Sequence, residues 1–423
     1  MLENNVQSIT FFYPSKNVGG VEFLFSRLAV YLSENFPVNI CYIDYKDGFA
    51  RKNISNNLVT FIDYDDNPRN SINIANETFL ITTSHIKHNL FERIIFSNNE
   101  KLLFWSTHPY DVITLIPFIK TFINLTRPSN EGIRFFIKLI SRYNVKKIQN
   151  ILQLLHNKNA LVFMDYPNFK TNNTCFDLTL NERRYIPVAL EDSDKSASNQ
   201  PVQREIINIC VLGRLVKGKI YPLINIITNS NIYADKYNKK VRIHIIGKGN
   251  KEYLLDNISL SKNVELIKAG TITNENLDDY LVNKIDILFA MGTSCLEGAK
   301  LKLPSVLLDF SYNPINHNYK FKWLFESSEY SLGDSIQDLE MPNKNTFEEI
   351  INDVYINNNK QKLGERCRKY FQDNHTIKAT ANIFLTYLKN NNLTSNDFLN
   401  TNYRETTFIH KFHKFLSQHI KGA

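Results

Sequence analysis

At 423 residues the chain is too long for one ordinary core, so two domains are expected. A content of 43% hydrophobic and 12% aromatic residues excludes an intrinsically disordered chain. The balance of 50 basic to 42 acidic residues leaves +8, which suits a nucleotide, an anionic membrane surface or a nucleic acid without choosing among them.

The cysteines (Cys41, Cys175, Cys210, Cys295, Cys367) are scattered and form no CxxC, so neither a disulfide frame nor a zinc site follows and a reducing cytosol is expected. The opening MLENNVQSITFFYPS lacks a basic segment leading into an apolar one, which argues against a secretion signal. No apolar run reaches the ~20 residues that a membrane helix needs.

In chain order, QSITFFYP reads as a strand, and NVGGVEFLFSRLAVYLSENF as a glycine turn entering an amphipathic helix. Gly19 and Gly20 sit at that turn, either to admit a diphosphate or donor sugar or simply as a tight turn. VNICYIDY, LVTFIDY, TFLITTS, KLLFWSTH and NALVFMDYP continue as strands, with helical spacing between several of them, as in EGIRFFIKLISRYNVKKIQNILQLL. Strands alternating with helices predict a parallel sheet covered on both faces. His108 follows the strand KLLFWST, where an open α/β sheet faces its ligand; it reads as a general base for an acceptor hydroxyl or as a hydrogen-bonding loop residue. Asp165 is similarly placed after ALVFM. Asp63-Tyr64-Asp65-Asp66 has the form of a Mg²⁺ or Mn²⁺ site on a nucleotide diphosphate, but it runs into Asn67-Pro68, an ordinary turn composition, and no metal is expected.

The charged, Ser-rich LEDSDKSASNQPVQRE, with Pro201, reads as the linker, giving domains at 1–195 and 205–375 and a helical tail at 376–423 that packs back on the first domain or on a membrane. After it come the strand INICVLGRL, a helix through Leu223 to Ile227, the strand and glycine turn VRIHIIGKGN, and NVELIKAG. Arg214 and Lys219 follow a strand and lie five apart across a loop containing Gly213, as a two-point phosphate clamp requires; an exposed surface pair is the bland reading. Gly247 and Gly249 admit a ligand close to the backbone or make a turn. In IDILFAMGTSCLEGAKLKLPSVLLDF, Gly292 gives a sharp turn and Thr293 or Ser294 caps a helix whose free N–H groups and positive dipole end favour a phosphate. Glu297, one turn further in, is placed to accept hydrogen bonds from a sugar hydroxyl. The segments IRFFIKLISRYNVKK and FIHKFHKFLSQHIKG interleave apolar with basic residues, the pattern of a lipid-interface helix or of a buried amphipathic one. The basic residues are otherwise dispersed, so no nucleic acid is expected.

VLGRLVKGK, IIGKGN and GTSCLEGAKLKLPSVLLD, in that order, resemble the nucleotide-sugar-binding domain of GT-B glycosyltransferases, especially glycosyltransferase family 4 and its relatives, and NVGGVEFLFSRLA resembles the glycine loop of the acceptor domain. The resemblance implies an α/β GT-B fold: two Rossmann-like parallel-sheet domains facing across a cleft, with C-terminal helices. It implies a hexosyltransferase that uses a nucleotide-diphosphate sugar as co-substrate, with no cofactor and no metal. The donor is then held by Gly19, Gly20, Gly213, Arg214, Lys219, Gly247, Gly292, Thr293, Ser294 and Glu297, with Glu297 on the ribose. The implied acceptor is a glycan or lipid-linked oligosaccharide of bacterial surface polysaccharide synthesis (O-antigen, capsule or lipooligosaccharide), met in the cytoplasm at the inner-membrane surface. The family carries a second glutamate eight positions before the one matching Glu297; here that position is Phe289, and the role of that acid near the donor sugar does not carry over. The Gly-Thr-Ser loop is also similar to that of an inverting relative, which leaves retention or inversion open. A nucleotide-sugar 2-epimerase and a non-catalytic glycan-binding subunit are the alternatives within the same fold.

Overall fold

Short apolar runs alternating with longer amphipathic ones build two parallel sheets, each in its own unit. The computed structural model describes residues 7–67, 69–84, 93–116, 118–140, 142–197, 205–340 and 342–401. One unit comprises Met1–Ala189 together with Ile377–Ala423, and the other Leu190–Thr376. The Pro201 portion of the expected linker and the segment FIHKFHKFLSQHIKG lie outside the described residues.

In the first unit the sheet strands are β1 (Ser8–Phe12), β2 (Asn39–Tyr45), β3 (Val59–Tyr64), β5 (Phe79–Thr83), β7 (Lys101–Ser106) and β8 (Leu161–Phe163), while β4 (Ile72–Asn73) and β6 (Ile94–Ile95) pair separately. The order β3-β2-β1-β5-β7-β8 is parallel throughout. Helices α1 (Gly20–Asn35), α2 (Phe49–Asn53), α3 (Ile119–Thr126), α4 (Asn130–Ile140), α5 (Arg142–Asn157) and α6 (Tyr166–Phe176) intervene. Because side chains alternate across a strand, Phe104 and Trp105 face opposite sides, and each side is covered. Trp105 packs on Phe25 of α1 at 5.5 Å and on Phe384 at 6.3 Å, the latter from helix Ile377–Asn390 near the end of the chain. Phe104 meets Phe398 at 5.2 Å, from helix Ser395–Leu399. The buried Trp105 indole N–H donates to the Ile186 carbonyl at 3.1 Å. The C-terminal helices thus complete the first unit's core.

The second unit holds β9 (Ile206–Leu212), α7 (Lys217–Tyr237), β10 (Lys240–Ile246), β11 (Val264–Gly270), α8 (Asn274–Lys284), β12 (Ile287–Ala290), α9 (Thr293–Ala299), β13 (Ser305–Leu307), β14 (Lys322–Trp323), α10 (Phe347–Tyr355) and α11 (Lys360–Asn374). The two helices that return to the first unit are α12 (Ile377–Asn390) and α13 (Ser395–Leu399). The sheet order is β11-β10-β9-β12-β13-β14, with only β14 antiparallel. In both sheets the chain starts in the middle, adds strands to one side and then crosses to the other. The crossover points, between β1 and β5 and between β9 and β12, are where doubly wound folds open a crevice at the strands' carboxyl ends.

At the opposite, amino edge of β12 the buried Asp286 accepts from Lys360 at 2.6 Å and from the Tyr355 hydroxyl at 2.6 Å. This buried pair ties α10 and α11 to the sheet.

Candidate functional site

The carboxyl edge of the second sheet is built from glycine turns. β9 ends at Leu212, and Gly213 takes φ +155°, a region that favours glycine. Its N–H donates to the Ile246 carbonyl at 3.0 Å, so the loop starts against the end of β10. Arg214 stands exposed, Leu215 plugs the core, and α7 begins at Lys217 behind an extended Val216. Lys219 lies in the first turn of that helix, half-buried.

That first turn carries Lys217 and Lys219 and no acid, the reverse of what a helix dipole favours. Burial, and then the neighbouring Arg214, pull the Lys219 ammonium down to about 8. Among the described residues neither Arg214 nor Lys219 has a carboxylate partner. Two adjoining cations at a helix start, with no carboxylate partner among the described residues, are an arrangement able to take an anion.

The second glycine turn supports the first. A Cβ on Gly247 (φ +133°) would lie 2.1 Å from the Gly213 carbonyl oxygen, and one on Gly249 would lie 2.3 Å from that of Leu215. Leu215 N–H donates to the Lys248 carbonyl at 3.1 Å, and Lys251 N–H to that of Leu215 at 2.9 Å. Gly247, expected to face a ligand, is therefore needed for backbone-to-backbone packing beneath the Arg214 loop.

β12 leads through Met291 to Gly292 (φ +65°), where an added Cβ would meet nothing within 4 Å, so the conformation rather than crowding calls for glycine. Gly292 itself is the N-cap of α9 and no side chain caps it, which corrects the capping role expected of Thr293 or Ser294. Thr293 is exposed and Ser294 half-buried. Glu297 has a protein partner: its Oε2 lies 2.7 Å from Lys300 Nζ, which also reaches Asp278 of α8 at 3.0 Å. Burial pulls the Lys300 ammonium down, but Glu297 and then Asp278 outweigh it and hold it above its ordinary value. Asp278 in turn accepts from the Ser193 hydroxyl at 2.8 Å. A Cβ on Gly298 would lie 2.5 Å from Leu288 Cδ2 and from Ser305 Oγ, so α9 rests directly on the sheet. Phe289, at the position of the family's other acid, is fully buried and packs on Phe347 at 5.8 Å and Phe321 at 5.9 Å.

At the carboxyl edge of the first sheet lies a cavity of about 730 Å³. Its lining includes Tyr13, Glu22, Tyr45, Tyr64, His108 and Asp111. Gly19 is the N-cap of α1, and a Cβ there would lie 2.5 Å from Glu22 Oε2, whereas Gly20 has open space. Gly19 thus makes room for a carboxylate. Glu22, 7% exposed, accepts from the Ser15 hydroxyl at 2.8 Å. Burial first, then Glu22 and Asp111, raise the Tyr13 hydroxyl to about 12. Reasoning from sequence passed over Glu22; its signal is an acid in the first turn of the helix that follows the glycine pair.

His108 lines this cavity, with its ring orientation set by the backbone. Its Nδ1 accepts the Tyr110 N–H at 3.1 Å, so the neutral ring carries its proton on Nε2 and presents a donor there. That tautomer suits hydrogen bonding to an oxygen better than removal of a proton. Asp165 is a helix cap: its Oδ1 accepts from Asn168 N–H at 3.0 Å and Asn168 Nδ2 at 2.6 Å. The acidic turn is likewise partnered, Asp63 with Arg51 at 2.6 Å, Asp65 with Arg93 at 3.1 Å and Asp66 with the Tyr45 hydroxyl at 2.8 Å. Among the described residues no group of three or more His, Cys, Asp and Glu is placed to hold a metal ion.

On α3 and α4, Leu125, Phe135 and Leu139 are each more than 70% exposed, while Ile133 and Ile137 face inward. No helix among the described residues is long and apolar enough to cross a membrane.

No protein-family model matches the chain, and no curated protein matches it. Solved structures do. A glycosyltransferase from Rickettsia africae ESF-5 superposes with a TM-score of 0.53 at 12% identity, over 92% of this chain and 99% of that one. The trehalose-6-phosphate synthase OtsA gives 0.53 at 11% identity, over 91% and 99%. The N-terminal domain of Candida albicans trehalose-6-phosphate phosphatase gives 0.51 at 11% identity, over 92% and 98%. At such identities the likeness is one of architecture, and with two Rossmann-like parallel-sheet units it establishes that this chain has the GT-B fold.

Proposed function

We propose that this protein is a glycosyltransferase that moves a sugar from a nucleotide-diphosphate sugar to a glycan or lipid-linked acceptor. The observation that carries the reading is the pair Arg214 and Lys219, two adjoining cations with no carboxylate partner among the described residues, at the carboxyl edge of the β9–β12 crossover. When the sugar–phosphate bond breaks, its electron pair moves to the leaving diphosphate oxygen. Arg214 offers two parallel N–H donors to that group and Lys219 a point charge, and each such contact lowers the barrier by about 3–4 kcal/mol. Because these cations neutralise the leaving group, the reading calls for no metal and no cofactor. Gly292, Thr293 and Ser294 are assigned to the same diphosphate, and Glu297 to the ribose; its bond to Lys300 then opens or is shared when nucleotide binds.

The acceptor is assigned to the first unit. We place it in bacterial surface polysaccharide synthesis (O-antigen, capsule or lipooligosaccharide), on the strength of the family resemblance. The apolar Leu125, Phe135 and Leu139, beside Lys120 and Lys138, support peripheral contact with an anionic cytosolic leaflet. A binding subunit without turnover is the second reading, favoured by the burial of Phe289 where the family has an acid.

A thermal-shift screen of UDP-, GDP-, ADP- and CMP-sugars, followed by product analysis with and without acceptor, tests the assignment. Stabilisation by one nucleotide class and acceptor-dependent release of nucleotide are expected. Release of an epimer or free sugar from donor alone indicates epimerase chemistry, and binding without turnover indicates the subunit.

A further inference from the structure

The cavity in the first unit has a chemistry of its own. Its described lining includes three carboxylates, Glu22, Asp66 and Asp111, and one permanent cation, Arg93. Arg93 is 7% exposed and already committed, donating from Nε to the Asn70 carbonyl at 2.9 Å, from one terminal nitrogen to the Asp65 carbonyl at 2.6 Å, and from the other to Asp65 Oδ1 at 3.1 Å. Asp66 is occupied by the Tyr45 hydroxyl at 2.8 Å. Asp111 Oδ2 gathers the N–H groups of Thr107 and His108, at 3.1 and 3.0 Å, and the Thr107 hydroxyl at 3.2 Å.

Glu22 differs. Ser15 holds its Oε1, and its Oε2 has no hydrogen-bond partner among the described residues, although the residue is more than nine-tenths buried. Open to the cavity and not sealed in the core, this oxygen is an acceptor that a ligand hydroxyl can reach. Among the described lining residues three carboxylates face one cation that is already paired, and nearby Lys16 is itself paired with Asp47 at 2.9 Å, an arrangement that disfavours anionic ligands. Hydroxyl groups are favoured: each donates a charge-assisted hydrogen bond to a carboxylate, and Tyr13, Tyr45 and Tyr64 supply apolar walls. The cavity's volume lies within the usual range of small-molecule sites.

We propose that this cavity binds an uncharged sugar ring, with Glu22 accepting from two of its hydroxyls or from one of them, and that it discriminates against phosphorylated sugars. That this ring belongs to the acceptor rests on the reading given above; the binding chemistry does not.

The test is saturation-transfer NMR on the full chain with methyl glycosides of glucose, galactose, mannose and N-acetylglucosamine, and with glucose 6-phosphate and inorganic phosphate. At least one neutral glycoside is expected to bind, glucose 6-phosphate to bind more weakly than its neutral parent, and Glu22→Gln to weaken the neutral glycoside by roughly tenfold. Ser15→Ala, a smaller change that loosens only Oε1, is expected to weaken it less and guards against misfolding of the first variant. Preference for the phosphate-bearing sugar, binding unchanged in Glu22→Gln, or no glycoside bound overturns the proposal. Loss of nucleotide-sugar affinity instead of glycoside affinity in Glu22→Gln also overturns it. If glycosides bind through Glu22 while no nucleotide sugar binds, the transferase reading fails and this one stands.

Discussion

Leu212 and Ala290 are register partners in adjacent parallel strands, so the loops opening at Gly213 and Met291 leave the sheet side by side. Ile246, paired with Leu212 on its other side, delivers the Gly247 turn to the same edge. Three motifs distant in sequence thereby converge through strand order alone, at the crossover where open α/β sheets bind ligands.

Replacing either clamp residue separates function from stability. Arg214→Ala and Lys219→Ala should each lower turnover by about 10²–10³-fold. Lys219→Met should also raise the melting temperature of the ligand-free protein, because it removes a half-buried ammonium beside a like charge. Kinetics and circular-dichroism melts check both; wild-type turnover in the alanine variants removes the clamp.

Lys219 also fixes a pH dependence. Its folded-state value is lowered to about 8 from 10.5, so between these values the unfolded chain holds the extra proton, and this residue's contribution to stability rises with pH across that window. A diphosphate restores the charged form, so nucleotide affinity should fall as pH rises above about 8, and binding there should take up a proton. Calorimetry in buffers of different ionisation enthalpy reads that uptake, which should vanish in Lys219→Met.

Gly247 and Gly20 should respond oppositely to alanine. At Gly247 the new Cβ would collide with backbone at 2.1 Å and take an unfavourable φ, costing about 3 kcal/mol or more. At Gly20, in the first turn of α1 with open space around it, alanine should gain about 0.5–1 kcal/mol. Urea titrations of the two variants decide.

Lys300→Met strands the Glu297 and Asp278 carboxylates, which are 18% and 14% exposed, and should cost roughly 2–4 kcal/mol. Glu297→Gln leaves Lys300 with Asp278 and should cost less. Equal costs in denaturant melts would show that the triad is not coupled.

Phe135→Ser with Leu139→Ser should weaken co-sedimentation with anionic phosphatidylglycerol vesicles while leaving the melting temperature within about 2 °C, since both side chains are already in solvent. Undiminished sedimentation would dismiss this face as the membrane contact.

Much of this was legible along the chain. Short uncharged runs such as SITFF and FLITT, rich in β-branched and aromatic residues, are too short for helices, so buried strands follow. The three second-unit motifs sat on the expected strand ends, because strand-to-helix loops in such folds are short. Partnerships remote in sequence were not legible. Nothing near Glu297 announces that Asp278 will share Lys300, and His108's tautomer depends on a backbone N–H two residues on. Thr293 and Ser294 satisfied a composition rule for capping, but the positive φ moved the cap to Gly292. Glu22 lies inside NVGGVEFLFSRLA, where the glycines carry the turn signal; its hydrogen bond comes from Ser15, in the loop that precedes them.

Leu190 and Thr376 form a parallel bridge, and Leu190 N–H donates to the His375 carbonyl at 2.9 Å. The second unit therefore begins and ends at one spot, like a cassette inserted into the first. Residues 190–376 should be excisable as an autonomous fragment on which nucleotide affinity can be titrated in isolation. A truncation after Thr376 cannot yield the complementary piece, because it deletes Phe384 from beneath Trp105. Recovering the first unit calls for fusing Ala189 to Ile377 through a few added residues.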